Sequence, residues 1–147
     1  MKSYLDLARD SIKAHEGEVR SKNGRHKLYM CPSKARTIGW GRNLDANGLS
    51  DEEAEILLNN DMRTAERACR SLIFNFETLD PVRQAVLIEM AFNIGSTKLA
   101  KFTKMLKALR QHDYLNCSSE MKDSDWYIQT KRRAKTLVER MRTGVME

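Results

Sequence analysis

The sequence predicts an α+β fold, in which a small lobe with a three-stranded β element and a larger all-helical lobe are joined by one long helix. Only two of the 147 residues are proline and seven are glycine, which favours helix over most of the chain. Turn-forming residues are concentrated between residues 15 and 50, where a small β element is therefore expected. The pattern from residue 51 to about residue 72 is helical, and such a helix would be about 30 Å long, enough to connect two lobes.

The composition limits the classes of protein and of partner. With 41% hydrophobic and 31% charged residues, the chain is typical of a globular protein. No run of about 18 apolar residues is present to span a bilayer, and the charges from Lys2 to Asp10 argue against a signal peptide. The formal charge of +6 favours an anionic partner, whether nucleic acid, an anionic membrane surface or an acidic polymer such as a bacterial wall. Charge alone does not choose among these partners.

The first elements expected along the chain are a short helix and a hairpin. Apolar residues between residues 2 and 14 fall on one stripe of an amphipathic helix, which we expect to pack onto the helical lobe because alone it would expose that stripe. Asn23-Gly24 is a typical type I′ turn within the strand-like residues 18–29. Residues 35–40 are predicted to add a third strand.

The helical part begins at a clear helix start. Ser50 followed by three acidic residues is a capping box, and the helix that it opens should end near residue 72. Asp80-Pro81 opens a helix that is apolar on nearly all sides, is therefore expected to be buried, and ends at Gly95. Shorter helices are predicted at residues 98–111, 113–121, 124–129 and 131–142. We therefore predict one domain, residues 1–147, made of a small lobe at 15–50, a connecting helix at 51–72, and a helical lobe of residues 73–147 together with 1–14.

A candidate site lies in the turn-rich segment. Glu16, Thr37 and the loop of Gly39 and Gly41 can line one concave face between the lobes. A carboxylic acid there, beside a hydroxyl, suits proton donation to a leaving oxygen. The alternative from spacing alone is that Glu16 is a solvated residue at the end of a helix.

The three cysteines, Cys31, Cys69 and Cys117, have no paired spacing, so free thiols are expected rather than disulfides. Cysteine is often buried, and by its residue type alone Cys31 is a spectator thiol. A zinc site formed by His15, His26 and Cys31 would use suitable residue types, but their spacing matches no usual ligand motif. We therefore predict neither a metal nor a cofactor.

A series of short segments occurs in one collinear order along almost the whole chain. The segments are Glu16-Gly17, Lys27-Leu28-Tyr29, Thr37 to Asn43, Asp51 to Glu55, Met90 to Gly95, Phe102-Thr103, Ser124 to Thr130, Arg133-Ala134-Lys135 and Arg142-Thr143-Gly144. This series resembles the phage lysozymes of the T4 type. The resemblance implies a lysozyme-like fold and a muramidase, a glycoside hydrolase that cuts the β-1,4 bond between N-acetylmuramic acid and N-acetylglucosamine in peptidoglycan.

The resemblance also implies a catalytic set. The family pattern is a Glu, eight residues, an Asp or Cys, five residues and a Thr, which makes Glu16 the general acid here. Cys31 would be a base toward water, giving inversion as the family precedent favours, or a nucleophile, giving retention. Thr37 would position water or bridge to the sugar. Cations near the thiol, Lys34 and Arg36, are expected to stabilise its thiolate.

The spacing departs from the family pattern in its first half. Cys31 and Thr37 are separated by five residues as expected, but Glu16 and Cys31 are separated by 14, an excess of six. We assign the extra residues to the segment Ser21–His26, a longer finger at the cleft rim that keeps strand register and leaves the Glu16–Cys31 geometry unchanged. If the hairpin instead displaces Cys31, the two-residue mechanism fails.

Five further positions match substrate contacts of the family. Arg42, Asn43 and Phe92 are candidate sugar contacts, although Phe92 can equally be part of the core. Met105 and Glu120 fall where relatives contact substrate with different side chains. By the same resemblance, Trp126 and Arg133 are structural.

The function implied is that of a phage endolysin acting on bacterial peptidoglycan in host lysis. Such a protein is expected to be a monomer that stays in the host cytoplasm until a separate holin releases it to the wall, with no nucleic-acid partner and no stable membrane association. The alternatives are a catalytically altered peptidoglycan-binding module of the same fold, a lytic transglycosylase, or a helical nucleic-acid-binding protein indicated by charge alone. The positive side chains of the last helix either form a solvated face or attract the protein to the anionic wall.

Overall fold

The computed structural model describes residues 1–147 and is 66% helical, with one three-stranded antiparallel sheet. The predicted α+β fold class is therefore confirmed. The chain forms two compact units, Met1–Glu55 and Ile56–Glu147. The elements are, in order, α1 (Tyr4–Glu16), β1 (Tyr29–Met30), β2 (Arg36–Ile38), β3 (Arg42–Asn43), α2 (Leu44–Asn47), α3 (Asp51–Leu72), a 3₁₀ turn (Phe76–Thr78), α4 (Pro81–Ala100), α5 (Thr103–Arg110), α6 (Tyr114–Lys122), α7 (Asp125–Thr130) and α8 (Arg132–Thr143).

Helix α1 has a well-defined start and end. It begins at a capping box, in which the Asp6 N–H donates to Ser3 Oγ at 3.2 Å and the Ser3 N–H donates to the Asp6 carboxylate at 3.1 Å. It ends at Glu16, since Gly17 has φ +65°. No residue of α1 is buried, and the helix belongs to the first unit. The sequence predicts that residues 1–14 belong to the helical lobe, because the apolar stripe of an amphipathic helix is usually buried against other elements. In the structure the apolar side chains of α1 are exposed.

The sheet has the strand order β1-β2-β3, and both neighbouring pairs are antiparallel. Its central residue is Thr37, which pairs with Tyr29 on one side and with Asn43 on the other. Residues paired in register point to the same face, so these three side chains share one face of the sheet. The third strand predicted at residues 35–40 is present as β2.

The finger Ser21–His26 is the end of a separate hairpin, Val19–Lys27, with a single bridge between Arg20 and His26. At its tip the Gly24 N–H donates to the carbonyl three residues earlier at 2.9 Å, and Gly24 has φ +83°. Asn23 has no positive φ, whereas a type I′ turn needs positive φ at both central residues. The predicted turn type is therefore wrong. The tip is a type I turn followed by a left-handed glycine, which closes a three-residue hairpin loop.

The hydrophobic core lies in the second unit. Helix α4 contributes Val86, Leu87, Met90, Ala91 and Leu99, all of them buried, as its apolar sequence predicts. The backbone leaves helical geometry at Gly95, with φ +80° and ψ 167°, the residue at which the sequence predicts the helix end. The other buried apolar residues of this core come chiefly from α3, α5, α6 and α8.

Helix α3 begins where the sequence predicts. The Glu53 N–H donates to Ser50 Oγ at 3.1 Å, and the Ser50 N–H donates to Glu53 Oε1 at 2.9 Å. Over its 22 residues only Ala65 and Cys69 are buried. None of the helices in the protein combines the length and the apolar character needed to cross a bilayer.

Candidate active site

Cys31 and Thr37 lie on one hairpin of the first unit, on the same face. The Cys31 N–H donates to the Ala35 carbonyl at 3.0 Å, which extends the pairing of β1 with β2 by one residue pair. Thr37 is two residues beyond Ala35, and side chains alternate along a strand, so Cys31 and Thr37 project to the same side. The spacing of five residues between them therefore places the thiol beside the hydroxyl.

The loop between β1 and β2 is a tight turn that surrounds the thiol with hydrogen-bond donors. The Lys34 N–H donates to the Cys31 carbonyl at 2.8 Å, and Lys34 has φ +63°. The turn places Ser33 Oγ 2.9 Å from Cys31 Sγ. The Ser33 hydrogen bond is the largest of the contacts that lower the pKa of the half-buried Cys31 thiol to about 7, and a backbone hydrogen bond of Ala35 is the next. Much of this thiol is thus ionised at neutral pH.

The cause of this lowered pKa differs from the one expected from the sequence. Hydrogen bonds lower the pKa of Cys31, and no cation contributes. The Arg36 guanidinium is bound instead to Asp45, whose carboxylate accepts from Arg36 Nε at 2.9 Å and from Nη2 at 2.6 Å. Its charge is therefore neutralised locally. The expectation that Lys34 and Arg36 stabilise the thiolate is wrong for this reason.

Glu16, the predicted general acid, lies at the end of α1 against the turn between β2 and β3. A Cβ atom at Gly41 would fall 2.8 Å from both Cδ and Oε2 of Glu16, so the carboxyl group rests directly on the glycine backbone. Gly41 has φ +86°, which glycine adopts without strain. The Glu16 side chain is exposed and forms neither an ion pair nor a hydrogen bond. A carboxyl group with no competing partner is available to exchange a proton with a bound molecule.

Arg42 and Asn43, the predicted sugar contacts of the small lobe, have partners within the first unit. Arg42 forms an ion pair with Glu53 and donates to the Gly48 carbonyl at 3.1 Å. The Arg42 hydrogen bond is the main cause that lowers the pKa of Glu53 to about 2. Asn43 Oδ1 accepts from the Ala46 N–H at 2.9 Å and caps α2. Both side chains thus have structural roles, and their contact with substrate stays a prediction.

The other three candidates line two separate cavities of the second unit. Phe92 is 42% exposed and lines a cavity of about 710 Å³, so it is not part of the core. Met105 and Glu120 line another cavity of about 730 Å³. Met105 is fully buried and exposes no surface in this cavity, so its contact with substrate stays a prediction. Trp126, in the same wall, donates from Nε1 to Asn93 Oδ1 at 2.9 Å.

Cys69, Cys117 and His26 do not add functional groups to the Cys31 hairpin. Burial raises the pKa of both Cys69 and Cys117 to about 12, so these thiols stay protonated and unreactive at neutral pH. His26 lies edge-to-face against Trp40, with ring centroids 4.6 Å apart, and its Nδ1 is buried without a partner. The structure contains no group of three or more His, Cys, Asp or Glu side chains able to hold a metal ion.

Two residues next to the predicted catalytic set make contacts that the sequence does not specify. Ser33 contacts the sulfur only because of the turn from Cys31 to Lys34, and the local sequence carries no signal for that contact beyond its turn composition. Gly41 stands out in the sequence as a loop glycine, but its contact with Glu16 joins residues that are far apart in the chain.

Comparison with known proteins places this sequence in a family. The phage lysozyme family matches residues 20–143, a match that begins after Glu16. Two proteins of Dictyostelium discoideum, "Probable T4-type lysozyme 1" and "Probable T4-type lysozyme 2", are 27% and 29% identical to the chain, each over 67% of it. The chain covers only 59% and 60% of their length.

A third relative is the pre-baseplate central spike protein Gp5 of Enterobacteria phage T4. It is 34% identical over 73% of this chain, which covers 20% of that protein. The family match nevertheless extends over most of the present sequence, from the finger to the end of α8. As the resemblance predicts, the chain belongs to the phage lysozyme family.

Proposed function

We propose that this protein is a lysozyme-type glycoside hydrolase, a muramidase that hydrolyses the β-1,4 bond between N-acetylmuramic acid and N-acetylglucosamine in bacterial peptidoglycan. Its membership of the phage lysozyme family over residues 20–143 carries this proposal. The names of the two T4-type relatives support the same class of enzyme. The face shared by Cys31 and Thr37 supplies chemistry of the required kind.

In the proposed mechanism two groups act on opposite sides of the glycosidic bond. Glu16 gives its proton to the leaving glycosidic oxygen. The Cys31 thiolate, available near neutral pH, takes a proton from the attacking water in an inverting reaction, or attacks the anomeric carbon in a retaining one. The Thr37 hydroxyl donates to the Ala35 carbonyl at 3.0 Å, so its lone pairs remain to accept a hydrogen bond from the water or from a sugar hydroxyl.

The proposal includes the glycan contacts and the biological setting. Its substrate-binding residues are Arg42, Asn43, Phe92, Met105 and Glu120. The formal charge of +6 favours association with an anionic wall polymer. The protein would act as a monomeric phage endolysin, held in the host cytoplasm until a separate holin gives it access to the wall.

A turbidity assay on bacteria with a permeabilised outer membrane tests the general acid. We expect Glu16→Gln to slow clearing by at least about 10²-fold, because an amide cannot supply the proton. The matched control is Glu18→Gln, two residues away, which removes a carboxylate that pairs with Arg20 at 2.8 Å. It should clear cells at nearly the parent rate. Equal activity of the Glu16 variant and the parent would remove Glu16 from the mechanism.

Replacement of Cys31 and analysis of the products separate the remaining alternatives. Cys31→Asp should retain clearing activity, while Cys31→Ala should lose it if the thiolate acts on water or carbon. A reducing muramic end in digested peptidoglycan indicates hydrolysis, and an anhydro end indicates a lytic transglycosylase. Binding to cells by the parent protein without any clearing would identify a peptidoglycan-binding module instead.

A further inference from the structure

Ser33 has a side-chain contact that the proposed mechanism leaves unused. Its hydroxyl oxygen lies 2.9 Å from Cys31 Sγ, across the turn that joins β1 to β2. The turn is closed by the Lys34 N–H, which donates to the Cys31 carbonyl at 2.8 Å. Because this backbone bond spans Ser33, the serine is held over the sulfur by the loop and does not depend on a distant element.

The two hydroxyl groups near the sulfur differ in what else they bind. The Thr37 hydroxyl donates its one proton to the Ala35 carbonyl at 3.0 Å, and a hydroxyl has no second proton to donate. The Ser33 hydroxyl has Cys31 Sγ as its one hydrogen-bond partner. When the sulfur is a thiolate it can only accept. A Thr37 side-chain hydrogen bond is a smaller cause of the lowered pKa of Cys31, and the Ser33 hydrogen bond is the largest, so Ser33 is the principal side-chain donor to the sulfur.

The charged side chains of the same hairpin do not stabilise the Cys31 thiolate in place of Ser33. The Arg36 guanidinium donates twice to one oxygen of Asp45, and the Arg36 N–H donates to the other at 2.7 Å. Lys34 takes part in the turn through its backbone, and its charge is not among the causes that lower the pKa of Cys31. The ionised sulfur is therefore held by hydrogen-bond donors.

We propose that Ser33 is a positioning residue, whose hydroxyl donates to Cys31 Sγ and keeps that sulfur ionised. The same hydrogen bond holds the sulfur on the face of the hairpin that Cys31 shares with Thr37. The effect on the thiol is a property of the loop alone. Its consequence for turnover rests on the proposed function, since only a reaction that uses the thiolate would respond to Ser33.

Thiolate absorbance near 240 nm tests the contact without any enzymatic assay. Cys69 and Cys117, with pKa values of about 12, stay protonated between pH 5 and 9 and contribute nothing there. The parent should show one midpoint at about pH 7. In Ser33→Ala the midpoint should move toward the ordinary thiol value of about 8.5, and in Ser33→Thr, which keeps a hydroxyl, it should stay near that of the parent.

The matched control is Lys34→Gln, which removes the neighbouring charge and keeps the hydroxyl. Its midpoint should equal that of the parent. A midpoint unchanged in Ser33→Ala would overturn the proposal, and so would a Lys34→Gln midpoint displaced as far as that of Ser33→Ala. Alkylation of Cys31 by iodoacetamide at pH 7 should slow by about fivefold if the midpoint rises by one pH unit, because the thiolate fraction falls by that factor.

Two further measurements keep the test decisive. In the unmodified protein, the ¹³Cβ resonance of Ser33 should titrate with the same midpoint as Cys31, and a flat resonance would contradict the contact even if Ser33→Ala failed to fold. The acidic limb of kcat/KM on peptidoglycan should move to higher pH in Ser33→Ala and be restored in Ser33→Thr. A displaced thiol midpoint with an unmoved pH profile would support the contact and reject the catalytic use of Cys31.

Discussion

The two compact units of this protein are stabilised in different ways. Every buried apolar side chain belongs to Ile56–Glu147, whereas the only buried residue of Met1–Glu55 is Thr37. The first unit relies on hydrogen-bonded turns and on ion pairs such as that of Arg36 with Asp45. Exposed ion pairs add little to stability, while full burial of one leucine contributes roughly 1.5–3 kcal/mol.

This difference shows that side chains such as Cys31 and Glu16 can be held in fixed positions without a hydrophobic core around them. Cys31 is placed by a tight turn, and Glu16 by contact with the backbone of Gly41. Both constraints are set by backbone geometry over a few residues, so they need little apolar burial. The first unit is therefore expected to open locally more readily than the second, as is common for segments that carry function.

The largest expected effect concerns the core. Leu99→Ala removes a fully buried side chain from α4 and should lower the free energy of unfolding by about 3 kcal/mol, measured by chemical denaturation. The matched change in the first unit is Leu28→Ala, at a side chain that is 49% exposed. It should alter the free energy by less than about 0.5 kcal/mol. Comparable losses from the two variants would show that the contrast between the units is wrong.

The next effect separates backbone strain from the contact with Glu16. Gly39 and Gly41 have φ +68° and +86°, so alanine is strained by about 1 kcal/mol at either position. Only at Gly41 would the new Cβ displace the Glu16 carboxyl. We expect Gly41→Ala to lower kcat/KM on peptidoglycan about tenfold further than Gly39→Ala, which corresponds to about 1.4 kcal/mol. Equal losses in variants of equal stability would mean that Gly41 does not position Glu16.

The smallest effect is the pH dependence of the first unit. Glu53, with a folded pKa of about 2, has its pKa lowered from an ordinary value of about 4.3, so its contribution to stability is complete above pH 4.3 and is lost as the pH falls toward 2. An NMR titration of its carboxyl carbon should give this low midpoint. In Arg42→Gln the midpoint should rise toward 4.3. A titration of Glu53 that Arg42→Gln leaves unchanged would assign the lowered pKa to Ser50 instead.

Helix boundaries were the most predictable part of the fold. The starts at Ser50 and Asp80 and the break at Gly95 were all predicted, because caps and left-handed glycines act within a few residues. The sequence predicts the position of the turn at Asn23-Gly24, but the turn is of type I and not of the predicted type I′. Its dihedral angles depend on how the finger closes as well as on the two residues at its tip.

The residues of the candidate site stay a prediction, and the structure adds the contacts between them. The five-residue spacing from Cys31 to Thr37 corresponds to one hairpin loop, so their common face follows from the chain itself. The partners of Arg42 and the burial of Met105 were not foreseen, because both depend on which elements pack beside them.

The sequence by itself determined the α+β class, the starts of α3 and α4, the spacing of Cys31 and Thr37, and the family. Those features depend on residues close together in the chain or on a long collinear pattern. Only the tertiary structure decided that the Glu16 carboxyl lies on Gly41, that hydrogen bonds instead of cations lower the pKa of Cys31, and that the core is confined to Ile56–Glu147. The physical reason is that hydrogen bonding, close contact and burial act through space, and a linear pattern does not specify which groups meet.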